Sequence, residues 1–207
     1  FFGAETTLEK VWQSRYPEEG DFVNQPYQAS LRKKGSSLIV ELDRHGALWR
    51  GEIHHGIHLW KTVTFDTTKN LLNIEYTLTN EGSKPVDVWF GSEFNVGLQA
   101  GDSPDRYYYS PGKTIENREL RSKGEIGGIS LLGMKDEWLG VDVRVETDLP
   151  ATFWRFPVET VSLSESGFER IFQSSVVIPH WRINLEKEWN CTIVHGFERL
   201  KKEGKAQ

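Results

Sequence analysis

Leu71-Leu72-Asn73-Ile74-Glu75-Tyr76-Thr77-Leu78-Thr79-Asn80 alternates apolar and polar side chains from Leu72 to Thr79. Leu72, Ile74, Tyr76 and Leu78 fall on one parity, and Asn73, Glu75, Thr77 and Thr79 on the other. Successive side chains of an extended chain point to opposite sides, so this period of two predicts an antiparallel strand with one buried and one wet face. The turn-forming run Asn80-Glu81-Gly82-Ser83-Lys84-Pro85 follows, and Val86, Val88 and Phe90 around Asp87 resume the alternation, which makes a hairpin. Leu38, Val40 and Leu42 ahead of a His45-Gly46 turn carry the same signal, as do Val141, Val143 and Val145 between Asp142, Arg144 and Glu146. Further strands are expected at 26–33, 47–53, 57–66, 128–134, 151–163, 168–178, 181–187 and 189–198. Pro150, Pro157 and Pro179 lack a ladder donor, so each is expected at a strand start, a bulge or an edge.

Helix signals are confined to Thr6-Thr7-Leu8-Glu9-Lys10-Val11-Trp12, where Thr6 can cap and Glu9, three residues on, can complete a capping box. The pattern stops before Pro17. About a dozen strands at roughly 8–12-residue spacing with one short helix define an all-β protein, a large antiparallel β-sandwich. Residues 1–25 form the helix and a lead-in loop, and 26–207 a single sandwich domain, since no linker, repeat or low-complexity tract divides them. Residues 99–127 are the least regular stretch, and a long loop in a compact domain is either functional or mobile.

The 207 residues carry 25 Lys+Arg against 30 Asp+Glu, a formal charge of −5 with histidine neutral. Neither that balance nor any local run supplies the basic patch a nucleic-acid binder needs. No apolar run approaches the roughly 20 residues that cross a bilayer, so no membrane partner is expected. Cys191 is the single cysteine, which excludes an intrachain disulfide and points to a reducing, cytoplasmic compartment. The only methionine is Met134, so residue 1 is not a translation start, and the polypeptide is expected to be processed or cut from something longer.

Three features can carry chemistry. Glu52-Ile53-His54-His55-Gly56-Ile57-His58-Leu59-Trp60 puts His54 and His58 on one face of an extended segment and His55 on the other. The spacing is weak for a metal, which needs three or four converging ligands, and no metal site or cofactor is expected; the histidines are either ordinary sheet residues or parts of a carbohydrate or catalytic site. Trp89-Phe90-Gly91-Ser92-Glu93-Phe94-Asn95 sets the Glu93 carboxylate and the Asn95 carboxamide two residues apart on one face. A glutamate inside an apolar strand must be paired, so Glu93 is the best candidate for a buried acid/base or a hydroxyl acceptor. Third, eight tryptophans exceed what a core demands, and exposed indoles stack on pyranose faces. Most of the eight are expected to be structural, with Trp49, Trp60 and Trp89 the candidates for sugar contact. P-loop, dinucleotide, nucleophile-elbow and HExxH signatures are absent from the sequence.

Glu5-Thr6-Thr7-Leu8-Glu9 leading to Gly20-Asp21-Phe22-Val23-Asn24-Gln25-Pro26-Tyr27, followed by Leu71–Asn80 running into Phe90–Leu98, resembles the C-terminal domain of family 57 glycoside hydrolases. The subgroup resembled contains α-amylases and 4-α-glucanotransferases. The resemblance implies a galactose-mutarotase-like supersandwich, with the catalytic carboxylates in an N-terminal (β/α) barrel that nothing in this sequence matches. No catalytic residue carries over. The expected function is a non-catalytic accessory domain that packs on that barrel and contacts an α-glucan or maltooligosaccharide through Trp49, Trp60, Trp89, Glu93 and Asn95. Segments 49–60 and 99–127 are expected to approach the barrel. The alternatives are an autonomous glucan-binding module, or a mutarotase in which His54, His55 or His58 gives a proton and Glu93 takes one.

Overall fold

The computed structural model describes residues 1–164 and 167–200; Glu165 and the end of the expected 26–207 domain, 201–207, lie outside them. The elements are helix α1 (Leu8–Trp12) and strands β1 (Gln28–Lys34), β2 (Ser37–Arg50), β3 (Ile53–Asp66), β4 (Leu71–Asn80), β5 (Val86–Gly91), β6 (Phe94–Val96), β7 (Arg106–Tyr109), β8 (Gly124–Asp136), β9 (Val141–Ser164), β10 (Gly167–Leu185) and β11 (Glu188–Arg199). The alternating stretch became β4 with the expected bounds. Its Ile74, Tyr76 and Leu78 are buried, while Glu75 is exposed.

All strand pairs are antiparallel and form one ladder in the order β1-β2-β3-β4-β11-β9-β10-β5. β9 is where the ladder turns. Its first part, 141–147, pairs with β11, its later part, 152–164, pairs with β10, and β8 follows it with register shifts between Ile126 and Leu131. The ladder thereby folds into two facing layers. The expected hairpin of 71–80 with 86–90 does not form: β4 pairs with β3 and β11, and β5 pairs with β10. The two meet across the interior, where the rings of Tyr76 in β4 and Trp189 in β11 lie 5.1 and 5.8 Å from that of Phe90 in β5 and the Tyr76 hydroxyl hydrogen-bonds Ser92 at 2.8 Å. Leu48, Ile57, Leu78, Leu132, Val145, Phe153, Val177 and Ile193 fill this core with no exposed surface. Each such side chain contributes about 1.5–3 kcal/mol through burial.

The layer containing β9, β10 and β5 is buried on both faces. Phe153 and Val177 point into the main core, whereas Trp154, Phe156, Val176 and Ile178 point the other way, against Phe2, Val11 and Trp89. Leu8, Trp12 and Tyr16 close over that second cluster, so the N-terminal segment covers what is otherwise a bare sheet face. The helix cap differs from expectation. Thr7, not Thr6, is the N-cap and accepts the Lys10 N–H at 3.3 Å, while Glu9 pairs with Lys123 and Gln13 instead of closing a capping box.

Several strands are longer than their sequence punctuation suggests. β2 runs straight through His45-Gly46, and the hairpin turn to β3 lies at Gly51-Glu52, where Gly51 takes a φ of 65° that favours glycine. β9 continues through Pro150 and Pro157, and β10 through Pro179. A proline costs a ladder bond only where a neighbour needs its N–H. Pro150 falls where β8 pairing jumps from Ala151 to Glu146, Pro157 lies past the last β8 partner Arg155, and Pro179 sits between the end of β5 and the start of β6.

Residues 99–127 are a packed connection rather than a free loop. They contain β7 and the start of β8, and they bury Tyr108, Ile115 and Leu120 in the core. The buried Arg155 guanidinium anchors them by donating to Ser122 Oγ and to the Asn117 carbonyl, the latter at 2.9 Å. In contrast, 158–164 of β9 and 167–173 of β10 pair only with each other among the described residues. This two-stranded ribbon exposes Val161, Leu163, Phe168 and Ile171.

Candidate functional site

The Gly51-Glu52 turn decides which side chains share the outer face of β2 and β3. Each residue of β2 opposes the β3 residue equally far from the turn, giving Trp49 opposite His54, His45 opposite His58, and Asp43 opposite Trp60. Ile57 and Leu59 occupy the core parity, so His54, His58 and Trp60 face outward together and His55 takes the other side, as the alternation predicts. Trp49 is 55% exposed, with its ring stacked on His54 at 5.7 Å. The His45 and His58 rings are parallel within 2° at 4.1 Å, and Trp60, 37% exposed, meets His58 edge-on. His58 Nε2 lies 2.6 Å from Asp43 Oδ1, and His45 Nδ1 lies 2.5 Å from Glu81 Oε1.

This strip is about 20 Å long from His54 to Trp60, at roughly 3.3 Å per residue. It presents two indole faces, imidazole nitrogens and carboxylates to solvent. That combination can stack the apolar face of a pyranose and hydrogen-bond its hydroxyls. Asp43, His45 and His58 also offer ligand atoms that all lie within 4.8 Å of one another. A turn at His45-Gly46, as the local sequence signal suggests, would hide the cross-strand pair and leave only His54, His55 and His58 as metal candidates. Counting outward from Gly51-Glu52 recovers it.

Glu93 and Asn95 share a face, joined by an Asn95 Nδ2–H to Glu93 Oε1 bond of 2.8 Å. The expected burial of Glu93 is overturned: the residue is exposed, because the chain breaks regular pairing between β5 and β6. It borders two recesses. One, of about 460 Å³, lies between α1 and the root of the ribbon and is lined by Trp12, Tyr16, Phe156, Val161 and Arg170. The other, of about 210 Å³, is lined by Tyr27, Lys61, Tyr76, Phe90 and Ser92. Burial pulls the Lys61 ammonium below the usual lysine range and pushes the Tyr76 and Tyr27 phenols up to about 12, the latter partly offset by Arg44. Both tyrosines therefore keep their protons at neutral pH and can donate hydrogen bonds. Lys61 shares the parity of the core residues Ile57 and Leu59 and so faces inward, and Trp12 stands at helical spacing from Leu8 on the packed side of α1; Tyr16 carries no such pattern.

Lys61 comes from the inner side of β3 and His54 and His58 from the outer side, so the sheet separates both histidines from the recess that Glu93 borders. His54 and His58 are thus not brought to one sugar with Glu93, and His55, on the Lys61 side of β3, stands six residues or about 20 Å along the strand from Lys61 and does not line that recess. Trp89 stands apart from Trp49 and Trp60 as well. It is 7% exposed, its indole N–H donates to His180 Nδ1 at 2.9 Å, and it packs edge-on against Phe2 and Trp154 beneath the Arg182 guanidinium.

Comparison with known proteins bears on both fold and site. The family model described as alpha-amylase/4-alpha-glucanotransferase, C-terminal, matches residues 1–193. Alpha-amylase 1 of Dictyoglomus thermophilum is 28% identical over 199 residues, covering 93% of this chain and 26% of that protein. The 4-alpha-glucanotransferase of Thermococcus litoralis is 28% identical over 93% of this chain and 25% of its own length. The crystal structure of that glucanotransferase superposes with a TM-score of 0.71 at 26% identity, over 96% of this chain and 26% of the other. A galactose mutarotase related enzyme from Lactobacillus acidophilus shares the fold, with a TM-score of 0.57 at 10% identity over 87% of this chain and 73% of its own. The chain thus spans about a quarter of the length of the first two relatives. The match running from the first residue to residue 193 shows that this chain belongs to the alpha-amylase/4-alpha-glucanotransferase C-terminal domain family.

Proposed function

We propose that this chain is the non-catalytic accessory domain of a cytoplasmic α-glucan-active enzyme, supporting a larger catalytic barrel and contacting maltooligosaccharide through Trp49 and Trp60. The observation that carries the reading is that nine-tenths of this chain aligns with only a quarter of an alpha-amylase and of a 4-alpha-glucanotransferase. The separation of His54 and His58 from Glu93 by the β3 backbone also favours it over the mutarotase alternative. The exposed indoles on the outer face of β2–β3 support glucan contact, and the buried Cys191, whose thiol burial pushes well above its usual range, suits a reducing compartment.

The ribbon of β9 and β10 is the favoured surface for the barrel. An isolated two-stranded hairpin is marginal in water, and this one presents Leu163 opposite Phe168, 76% and 82% exposed, on one face. It replaces 99–127, which packs onto its own core, as the segment expected to reach the barrel. The test is an assay of the isolated chain on maltooligosaccharides. Saturable quenching of tryptophan fluorescence with no hydrolysis, no disproportionation and no acceleration of glucose mutarotation is the expected result. Turnover in any of the three reactions by the chain alone overturns it.

A further inference from the structure

We propose that Asp43, His45 and His58, with Glu81 beside them, bind one divalent transition ion of the zinc class on the outer face of β2 and β3. His45 and His58 are directly opposed in the ladder, and directly opposed side chains have Cβ atoms only about 4.5–5.5 Å apart. Two imidazoles so placed can reach one ion, and Asp43, two residues before His45 on β2 and so on the same face, adds a third ligand. The ligand atoms of Asp43, His45 and His58 already lie within 4.8 Å of one another. A tetrahedral ion at about 2.0–2.1 Å from each holds its ligands about 3.3–3.4 Å apart, so side-chain rotations alone close the site.

One nitrogen of each imidazole faces a carboxylate oxygen, Nε2 of His58 that of Asp43 and Nδ1 of His45 that of Glu81. One cation between the two pairs satisfies two nitrogens and up to two carboxylate oxygens at once, and the two carboxylates balance its charge. A mixed nitrogen and oxygen set selects zinc, cobalt, nickel or copper over magnesium and calcium, which take all-oxygen shells. The scaffold beneath is firm. β2 is flanked by β1 and β3, β3 by β2 and β4, the adjacent Ile57 and Leu48 have no exposed surface, and the Glu81 backbone N–H is held by the Gly56 carbonyl at 3.0 Å. The ion would tie together β2, β3 and the turn that leaves β4, independently of any glucan.

The experiment uses the tag-free full chain, stripped with chelator and titrated with zinc by calorimetry, with metal analysis after gel filtration. One zinc per chain and a rise in melting temperature with excess zinc are expected, and cobalt in its place should give the visible bands of a four- or five-coordinate ion. His58→Gln and the His45→Ala/His58→Ala pair should lose roughly 10-fold or more in affinity along with those bands, while His54→Ala, one step along the strip, should keep both. Asp43→Asn serves as a further variant that leaves the imidazole stack intact, and far-UV circular dichroism verifies folding in each. Sub-stoichiometric retention by the wild type, unchanged uptake by the double variant, or an equal loss in His54→Ala overturns the proposal.

Discussion

The indole N–H of Trp89 donates to Nδ1 of His180 at 2.9 Å inside a buried cluster with Phe2 and Trp154. An Nδ1 that accepts a hydrogen bond carries no proton, so His180 is the neutral tautomer protonated at Nε2, an atom buried without a partner among the described residues. Burial, reinforced by the Arg182 charge, pulls its pKa from the usual 6.5 to about 4. Between those values the unfolded chain binds more protons than the folded one, so stability falls as pH drops from 6.5 to about 4, and the full contribution is present above 6.5. The loss is roughly 3 kcal/mol, at about 1.4 kcal/mol per pH unit. His195, whose pKa burial also lowers, acts in the same direction. Urea unfolding at a series of pH values should show this slope in the wild type and a shallower one in His180→Phe; identical slopes would refute the assignment.

The tryptophans should divide by burial. Trp89→Ala removes a 7%-exposed indole from a packed cluster and is expected to cost about 3–5 kcal/mol. Trp49→Ala and Trp60→Ala remove exposed rings and should shift the midpoint of unfolding little, while weakening maltooligosaccharide binding measured by calorimetry. If Trp49→Ala and Trp60→Ala both bind sugar like the wild type, the outer-face platform is the wrong surface.

Burial also explains which parts of the molecule were readable from sequence. β4 was legible to the residue because one of its faces is core and the other is wet, so composition and geometry coincide. β9 and β10 were read as fragments because proline and glycine are local signals, whereas the cost of a proline depends on whether a neighbouring strand stands on its N–H side. The same kind of local signal at His45-Gly46 concealed the long hairpin, and with it the pairs His45–His58 and Trp49–His54. Parity placed His54 and His58 on one face but could not bring Trp49 of the neighbouring strand to it, nor say that Trp89 faces a layer covered by Phe2 and α1. That cover is a long-range contact with residues 1–16, which no window around Trp89 contains.

The apolar ribbon should reveal itself in association. Leu163 and Phe168 are directly paired and mostly exposed, so the isolated chain is expected to self-associate at high concentration or bind an apolar dye there. Leu163→Ser/Phe168→Ser should sediment as a monomer with an unchanged melting temperature, since neither side chain contributes to either core cluster. Introduced into a longer polypeptide that carries the catalytic barrel, the same pair should lower the temperature at which activity is lost. An unaffected full-length enzyme would argue that the barrel sits elsewhere.

Asp136 is fully buried at the end of β8, where β7 pairs, and holds two groups at once: it accepts from Arg106 Nε at 3.0 Å and from the Leu139 N–H at 2.8 Å. Arg106 is itself only 9% exposed, and its remaining side-chain partner is the neighbouring Asp105. Removing Asp136 leaves the buried Arg106 charge with only the partly exposed Asp105 as counterion, so Asp136→Ala is expected to cost up to about 3–5 kcal/mol. Asp136→Asn keeps an acceptor for Leu139 and should cost less. The double variant Asp136→Leu/Arg106→Met removes both charges together, and its loss should be smaller than the sum of the two single losses, because no uncompensated ion remains. A double-mutant cycle by urea denaturation measures the coupling. Strict additivity would mean that Arg106 finds compensation in Asp105 alone, and that Asp136 matters mainly as the acceptor that ends β8.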